Sequence, residues 1–115
     1  MTTHVLDTAL GRPAAGVSAE LLRLSEGGAW APVAGVTTNA DGRVDGPLLA
    51  GADFVPGVYE LRFHVGDYLR RTGAAVSDPA FLDVVPIRFS VADADQHYHV
   101  PLLVSAHGYS TYRGS

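Results

Sequence analysis

The chain reads as an all-β protein: a two-sheet antiparallel β-sandwich of about seven or eight strands with one short helix. Three observations predict this. Thirteen glycines and seven prolines fall between short stretches of alternating hydrophobicity, which is the punctuation of strands and tight turns. Those stretches repeat every second residue, so that one face of each is apolar. Only one segment, Asp67 to Thr72, has helical character. At 115 residues with 47% hydrophobic side chains, the chain is expected to form one domain, residues 1–115, with a core of its own.

Thr3 to Asp7 is the first expected strand, closed by a turn at Gly11-Arg12-Pro13. Val17 to Ser25 follows and ends at Gly27-Gly28. Trp30 to Thr38 reads as a strand despite Pro32, which places an edge or a bulge there because proline lacks the N–H that a ladder needs. Asn39-Ala40-Asp41-Gly42 is a turn, since these residues tolerate a positive φ. Gly46 to Gly57 is loop-like. In Val58 to Val65, Tyr59, Leu61, Phe63 and Val65 face one way and Glu60, Arg62 and His64 the other. Asp67 can cap a short helix that carries Arg70 and Arg71 near its end and stops at Gly73. Ala74 to Pro86 is expected to be irregular. Ile87 to Val91 alternates again, with Ile87, Phe89 and Val91 inward. The tail from His97 to Ser115 is a strand, a turn and a strand: Tyr98, Val100, Leu102 and Val104 share one face, and His97, His99, Leu103 and Ser105 the other. Trp30, Phe63 and Phe89 are expected in the core.

Composition removes several function classes. Without cysteine there is no disulfide scaffold, thiolate zinc site or cysteine nucleophile. A formal charge of −4, from 8 Lys and Arg against 12 Asp and Glu, offers no basic stripe for nucleic acid. No apolar run approaches the roughly twenty residues that span a bilayer, and the opening MTTHVLDTAL has no hydrophobic signal core. The C-terminal Arg-Gly-Ser is not a peroxisomal address of the Ser-Lys-Leu type. A cytoplasmic protein is expected.

Three segments carry chemistry: Thr3 to Asp7 with His4, Asp41-Gly42-Arg43, and the tail with His97, His99, three tyrosines and Arg113. Chain ends and turns can meet on one part of a sandwich. Imidazole accepts and returns a proton near neutral pH, and a guanidinium fork holds a planar urea, imide or carboxylate or a developing oxyanion. Such a set suits hydrolysis by an activated water. The plain alternatives are a solvated Arg43 paired with Asp41 or Asp45, and histidines that are ordinary strand residues. A Ser–His–Asp set drawn from Ser105 or Ser110, His99 and Asp7 lacks a nucleophile elbow. His97-x-His99 with His4, His107 or an Asp permits a zinc site without specifying one. An exposed last strand, Tyr109 to Arg113, predicts pairing with another copy of the chain.

The opening THVLDTALGRPAAGV (Thr3 to Val17), the turn TTNADGRV (Thr37 to Val44), YELRFHVGDYL (Tyr59 to Leu69) and the terminal YRGS (Tyr112 to Ser115) resemble the 5-hydroxyisourate hydrolases, or transthyretin-like proteins, over nearly the whole chain. Transthyretin, the hormone carrier of the same fold, lacks the YRGS ending and the histidine and arginine set. The resemblance implies a transthyretin-like sandwich in a homotetramer, a dimer of dimers, with sites in grooves at the dimer–dimer interface lined by the tail. It implies ring opening of 5-hydroxyisourate to 2-oxo-4-hydroxy-4-carboxy-5-ureidoimidazoline, with no cofactor and no metal. His4, Arg43 and His99 match the family's catalytic positions. His4, Arg43, Tyr112, Arg113, Gly114 and Ser115 match positions that bind substrate. His107, where many relatives carry a tyrosine, and the stretch Ser77 to Pro86 depart from the pattern.

Two rival functions have separate tests. A carrier of small aromatic ligands would bind without turnover and tolerate loss of His99, but a site of His and Arg is a poor apolar pocket. A structural metal module would lose stability on dialysis against a chelator.

Overall fold

Two four-stranded sheets pack face to face, and the alternation along each strand decides which side chains meet between them. The computed structural model describes residues 1–115. The strands are β1 (Thr2–Asp7), β2 (Arg12–Pro13), β3 (Ser18–Leu24), β4 (Trp30–Thr37), β5 (Gly57–His64), β6 (Val84–Val91), β7 (His99–Val104) and β8 (Tyr109–Thr111), with helix α1 at Val65–Arg71. One sheet runs β2-β1-β7-β8 and the other β4-β3-β5-β6. Pairing is antiparallel except between β1 and β7, which are parallel in the register Thr2↔His99 through Asp7↔Val104. A parallel pair needs a long crossover, and here the whole second sheet supplies it.

The core between the sheets holds Val5, Leu21, Tyr59, Leu61, Phe63, Val85, Leu102 and Val104, all essentially inaccessible. Fully burying one such aliphatic side chain stabilises the fold by about 1.5–3 kcal/mol. The inward positions read from the sequence along β5, β6 and β7 are inward here, although Phe89 is only partly covered and stacks on Tyr59 at 6.0 Å. Pro32 sits where expected, on edge strand β4 and at a bulge: Leu21 pairs Ala34 and Leu22 pairs Pro32, leaving Val33 over.

The structure differs from the sequence reading in four places. Arg12–Pro13, expected in a turn, pair with Leu6 and Asp7 as a two-residue strand. The helix starts at Val65, so Asp67 lies in its first turn and His64 holds the cap position without a side-chain bond. Strand β6 begins at Val84, because an edge strand tolerates Pro86. Trp30 is half-buried outside the core, on a ring flanked by the guanidinium carbons of Arg88 at 4.9 Å and Arg62 at 5.9 Å. Those cations hold the indole against the sheet's outer face.

Buried polar groups are paired. Thr3 Oγ1 donates to the Val100 carbonyl at 2.6 Å, and Thr38 Oγ1 donates to Ala14 O at 2.7 Å while accepting from Val17 N at 2.9 Å. Asp7 accepts from the Tyr68 hydroxyl at 2.7 Å and from the amides of Ala9 and Leu10. Every buried side-chain polar atom has a partner, as the cost of leaving one unpaired requires.

Candidate active site

Parallel pairing of β1 with β7 places Thr2, His4 and Leu6 beside His99, Pro101 and Leu103 on the outer face of the first sheet. Alternation puts Thr3, Val5 and Asp7 inside, so the histidines of β1 and β7 share the outward side by necessity.

Arg43 joins them through the turn after β4. Asn39 Oδ1 accepts from the amides of Asp41 at 2.9 Å and Arg43 at 3.2 Å, while Asn39 N donates to Arg43 O at 2.7 Å. Gly42, with φ of +74°, brings its carbonyl within 2.8 Å of Val5 N. A Cβ at residue 42 would stand 3.1 Å from the Cβ of Pro13, so both the conformation and the close approach demand glycine. His4 and Arg43 form an antiparallel bridge, and bridge partners project from the same face. The Arg43 guanidinium makes no hydrogen bond or ion pair within the chain; Asp45 instead accepts from Asn39 Nδ2 at 3.0 Å. Pairing of Arg43 with Asp41 or Asp45, the plain alternative, does not occur.

The two site histidines are held differently. His4 Nε2 donates to the Asp41 carbonyl at 2.9 Å, which commits that nitrogen to its proton. His99 Nδ1 lies 2.8 Å from Thr2 Oγ1, and the same hydroxyl is 3.3 Å from His97 Nε2. The Nε2 of His99 has no partner in the chain. Burial, and then the positive charges of Arg43, His4 and His97, push the His99 pKa below its ordinary value. His99 is therefore neutral at pH 7, with a lone pair to offer.

The tail divides. Gly114 bridges to His99, donating to its carbonyl at 2.8 Å, and its missing side chain makes room for the imidazole. Arg113 instead donates to Gln96 Oε1 at 3.0 Å and His97 O at 3.2 Å, with its guanidinium 4.0 Å over the Tyr98 ring. Tyr112 and Arg113 line a cleft of about 240 Å³ with Ile87, Phe89 and Tyr98, between β6 and the tail. Within one chain His4, Arg43, His99 and Gly114 come together on an open sheet face, whereas Tyr112 and Arg113 do not join them. Ser115 is exposed at the end.

His107 is exposed and packs near the Phe81 ring at 5.9 Å. No three His, Cys, Asp or Glu side chains are grouped as a metal site would require. Thr2 was not singled out from the sequence, though its position two residues before His4 places it on the same strand face. Asn39, which builds the Arg43 turn, was read only as a turn residue.

The chain is similar to known proteins over nearly its whole length. The model of the HIUase/Transthyretin family matches residues 1–114. The chain is 64% identical to 5-hydroxyisourate hydrolase 2 of Rhizobium meliloti (strain 1021), covering 100% of this chain and 95% of that one. It is 40% identical to the 5-hydroxyisourate hydrolase of Mus musculus, covering 100% and 94%. Among solved structures, (S)-allantoin synthase superposes with a TM-score of 0.93 at 46% identity, covering 99% of this chain and 43% of that longer one. Sea bream transthyretin in complex with thyroxine superposes at 0.88 with 26% identity, covering 98% and 92%. With the family model matched over nearly its whole length and a 64% identical relative covered end to end, the chain belongs to the HIUase/Transthyretin family.

Proposed function

We propose that the protein is a 5-hydroxyisourate hydrolase of urate catabolism, opening the six-membered ring of its substrate to 2-oxo-4-hydroxy-4-carboxy-5-ureidoimidazoline. The observation that carries this is His99: an imidazole anchored at Nδ1, free at Nε2 and neutral near pH 7, beside an unpaired guanidinium. Water adds to the ring carbonyl as His99 Nε2 takes its proton. Arg43 faces the planar urea or imide edge and stabilises the oxyanion. The ring C–N bond then breaks and the nitrogen takes the proton back from His99 Nε2. His4, whose Nε2–H is spent on the Asp41 carbonyl, offers Nδ1 as an acceptor that orients the substrate. No step calls for a cofactor.

The same proposal takes residues 1–115 as one domain in a cytoplasmic homotetramer, a dimer of dimers. Support comes from the open face that carries the site, which a second copy can cover, and from the kinship to bacterial hydrolases. Two free edges, β6 and β8, lie on one side of the sandwich and offer unpaired backbone groups. Tyr112, Arg113 and Ser115 would then reach substrate only in a groove shared between copies. No helix is long and apolar enough to cross a membrane.

Decay of freshly generated 5-hydroxyisourate, followed by ultraviolet absorbance above its spontaneous rate, tests the function. Acceleration in proportion to protein concentration is expected; a folded protein that binds an aromatic ligand without accelerating decay would be a carrier.

A further inference from the structure

Thr2 is the residue on the site face whose role the reaction above leaves unassigned. Its hydroxyl stands between two imidazoles, 2.8 Å from His99 Nδ1 and 3.3 Å from His97 Nε2. A hydroxyl carries one hydrogen, so it can donate to only one of these nitrogens and must accept from the other. The two tautomers are therefore linked. If Thr2 donates to His99 Nδ1, the neutral His99 carries its proton on Nε2 and has no lone pair for water. If Thr2 donates to His97 Nε2, His99 carries its proton on Nδ1, donates it to Thr2 Oγ1, and leaves Nε2 bare.

The second arrangement is the one in which His99 can act as the base, and both contacts it needs are in hydrogen-bond range, the shorter to His99 and the longer to His97 at the surface. His97 is itself held in place, since its carbonyl accepts from Arg113 Nη2 at 3.2 Å. Pairing in the ladder fixes Thr2 directly across from His99, so the contact follows from the register of β1 on β7 and not from a mobile loop. A neutral imidazole has no intrinsic preference strong enough to select one nitrogen; the partner of the other nitrogen selects it.

We propose that Thr2 is a positioning residue that holds His99 in the Nδ1–H tautomer, with His97 Nε2 taking the hydroxyl hydrogen, so that His99 Nε2 is the base. The inference rests on the hydrolase reading of His99. It assigns Thr2 and His97 no contact with substrate.

The test combines kinetics with nitrogen NMR of the histidine rings in the full-length protein. Thr2→Val keeps shape and strand preference but removes the hydroxyl; kcat is expected to fall by about 10–100-fold, the scale on which outer partners of a working imidazole act, with KM unchanged. Thr2→Ser restores the hydroxyl and is expected to recover most of kcat. In the unmodified protein the His99 ring shows its proton on Nδ1; in Thr2→Val and in His97→Ala the Nε2–H form gains population. An unchanged His99 tautomer in either variant, or equal losses in Thr2→Val and Thr2→Ser, overturns the proposal. His99→Asn separates it from the underlying reading. Retained turnover there removes His99 as base, while an inactive His99→Asn beside a fully active Thr2→Val removes only the role of Thr2.

Discussion

Gly114 lies directly against the imidazole of His99. Its amide donates to the His99 carbonyl at 2.8 Å, and a Cβ at residue 114 would stand 3.1 Å from His99 Cγ and 3.2 Å from its Cβ, closer still to the ring edge. The backbone of the tail is thus a wall of the site. Gly114→Ala is expected to push either the ring or the tail aside; a displacement of about 1 Å lowers turnover by roughly 10²-fold. Thermal melting should hold, since residue 114 lies outside the core. Wild-type turnover in the alanine variant would show that the tail yields freely.

His99→Asn is expected to lower turnover by about 10²–10⁴-fold, the range of a lost general base. Near-normal turnover removes it from that role.

The pH profile carries a sign. Burial first, then Arg43, His4 and His97, disfavour the imidazolium of His99, so its proton binds only below the ordinary histidine value of about 6.5. The acid limb of kcat/KM should fall below that value, and Arg43→Met should move the limb of its residual activity upward by removing a positive charge. Linkage follows the same direction. The unfolded chain binds this proton more tightly, so the contribution of His99 to stability is complete above the ordinary value and declines as pH falls through it. An acid limb above 6.5 in the wild-type protein would contradict the burial seen here.

Arg43→Lys should cost nearly as much activity as Arg43→Ala if the planar fork binds the substrate. Stability should change by less than about 0.5 kcal/mol in either, because the guanidinium has no partner within the chain. Full activity with lysine would count against bidentate recognition.

Tyr68→Phe tests the buried bond to Asp7, a residue that is only 4% exposed. Removing the hydroxyl leaves Oδ2 short of a donor and should destabilise the fold by about 1–3 kcal/mol, read as a lower melting temperature. Burial, then the hydrogen bond and charge of Asp7, push the Tyr68 pKa up to about 12, so alkaline titration should find it ionising above the ordinary tyrosine value of about 10.

Much of the fold is legible residue by residue. Tyr59, Leu61 and Phe63 alternate with Glu60 and Arg62, and a strand with one apolar face has one way to bury it. Pro32 predicts an edge or a bulge, and β4 has both. Trp30 misleads because its size suggests the core, while two arginines from β5 and β6 of the same sheet make an outer face equally hospitable. The helix begins three residues before the place that a cap at Asp67 predicts, because the chain already turns at His64 and closes over Asp83, whose carbonyl accepts from Gly66 N at 2.9 Å.

The sequence alone determined which residues face outward on β5, β6 and β7 and that His4, Arg43 and His99 are of types that could hydrolyse a planar substrate. Side-chain direction follows from a period of two, and chemistry follows from residue type; both are local. Only the tertiary structure decided that Thr2 lies across from His99, that Arg43 bridges to His4 with its guanidinium free, and that Arg113 turns away onto Tyr98. Those relations depend on the register of strands far apart in the chain, and register is set by the packing of both sheets together.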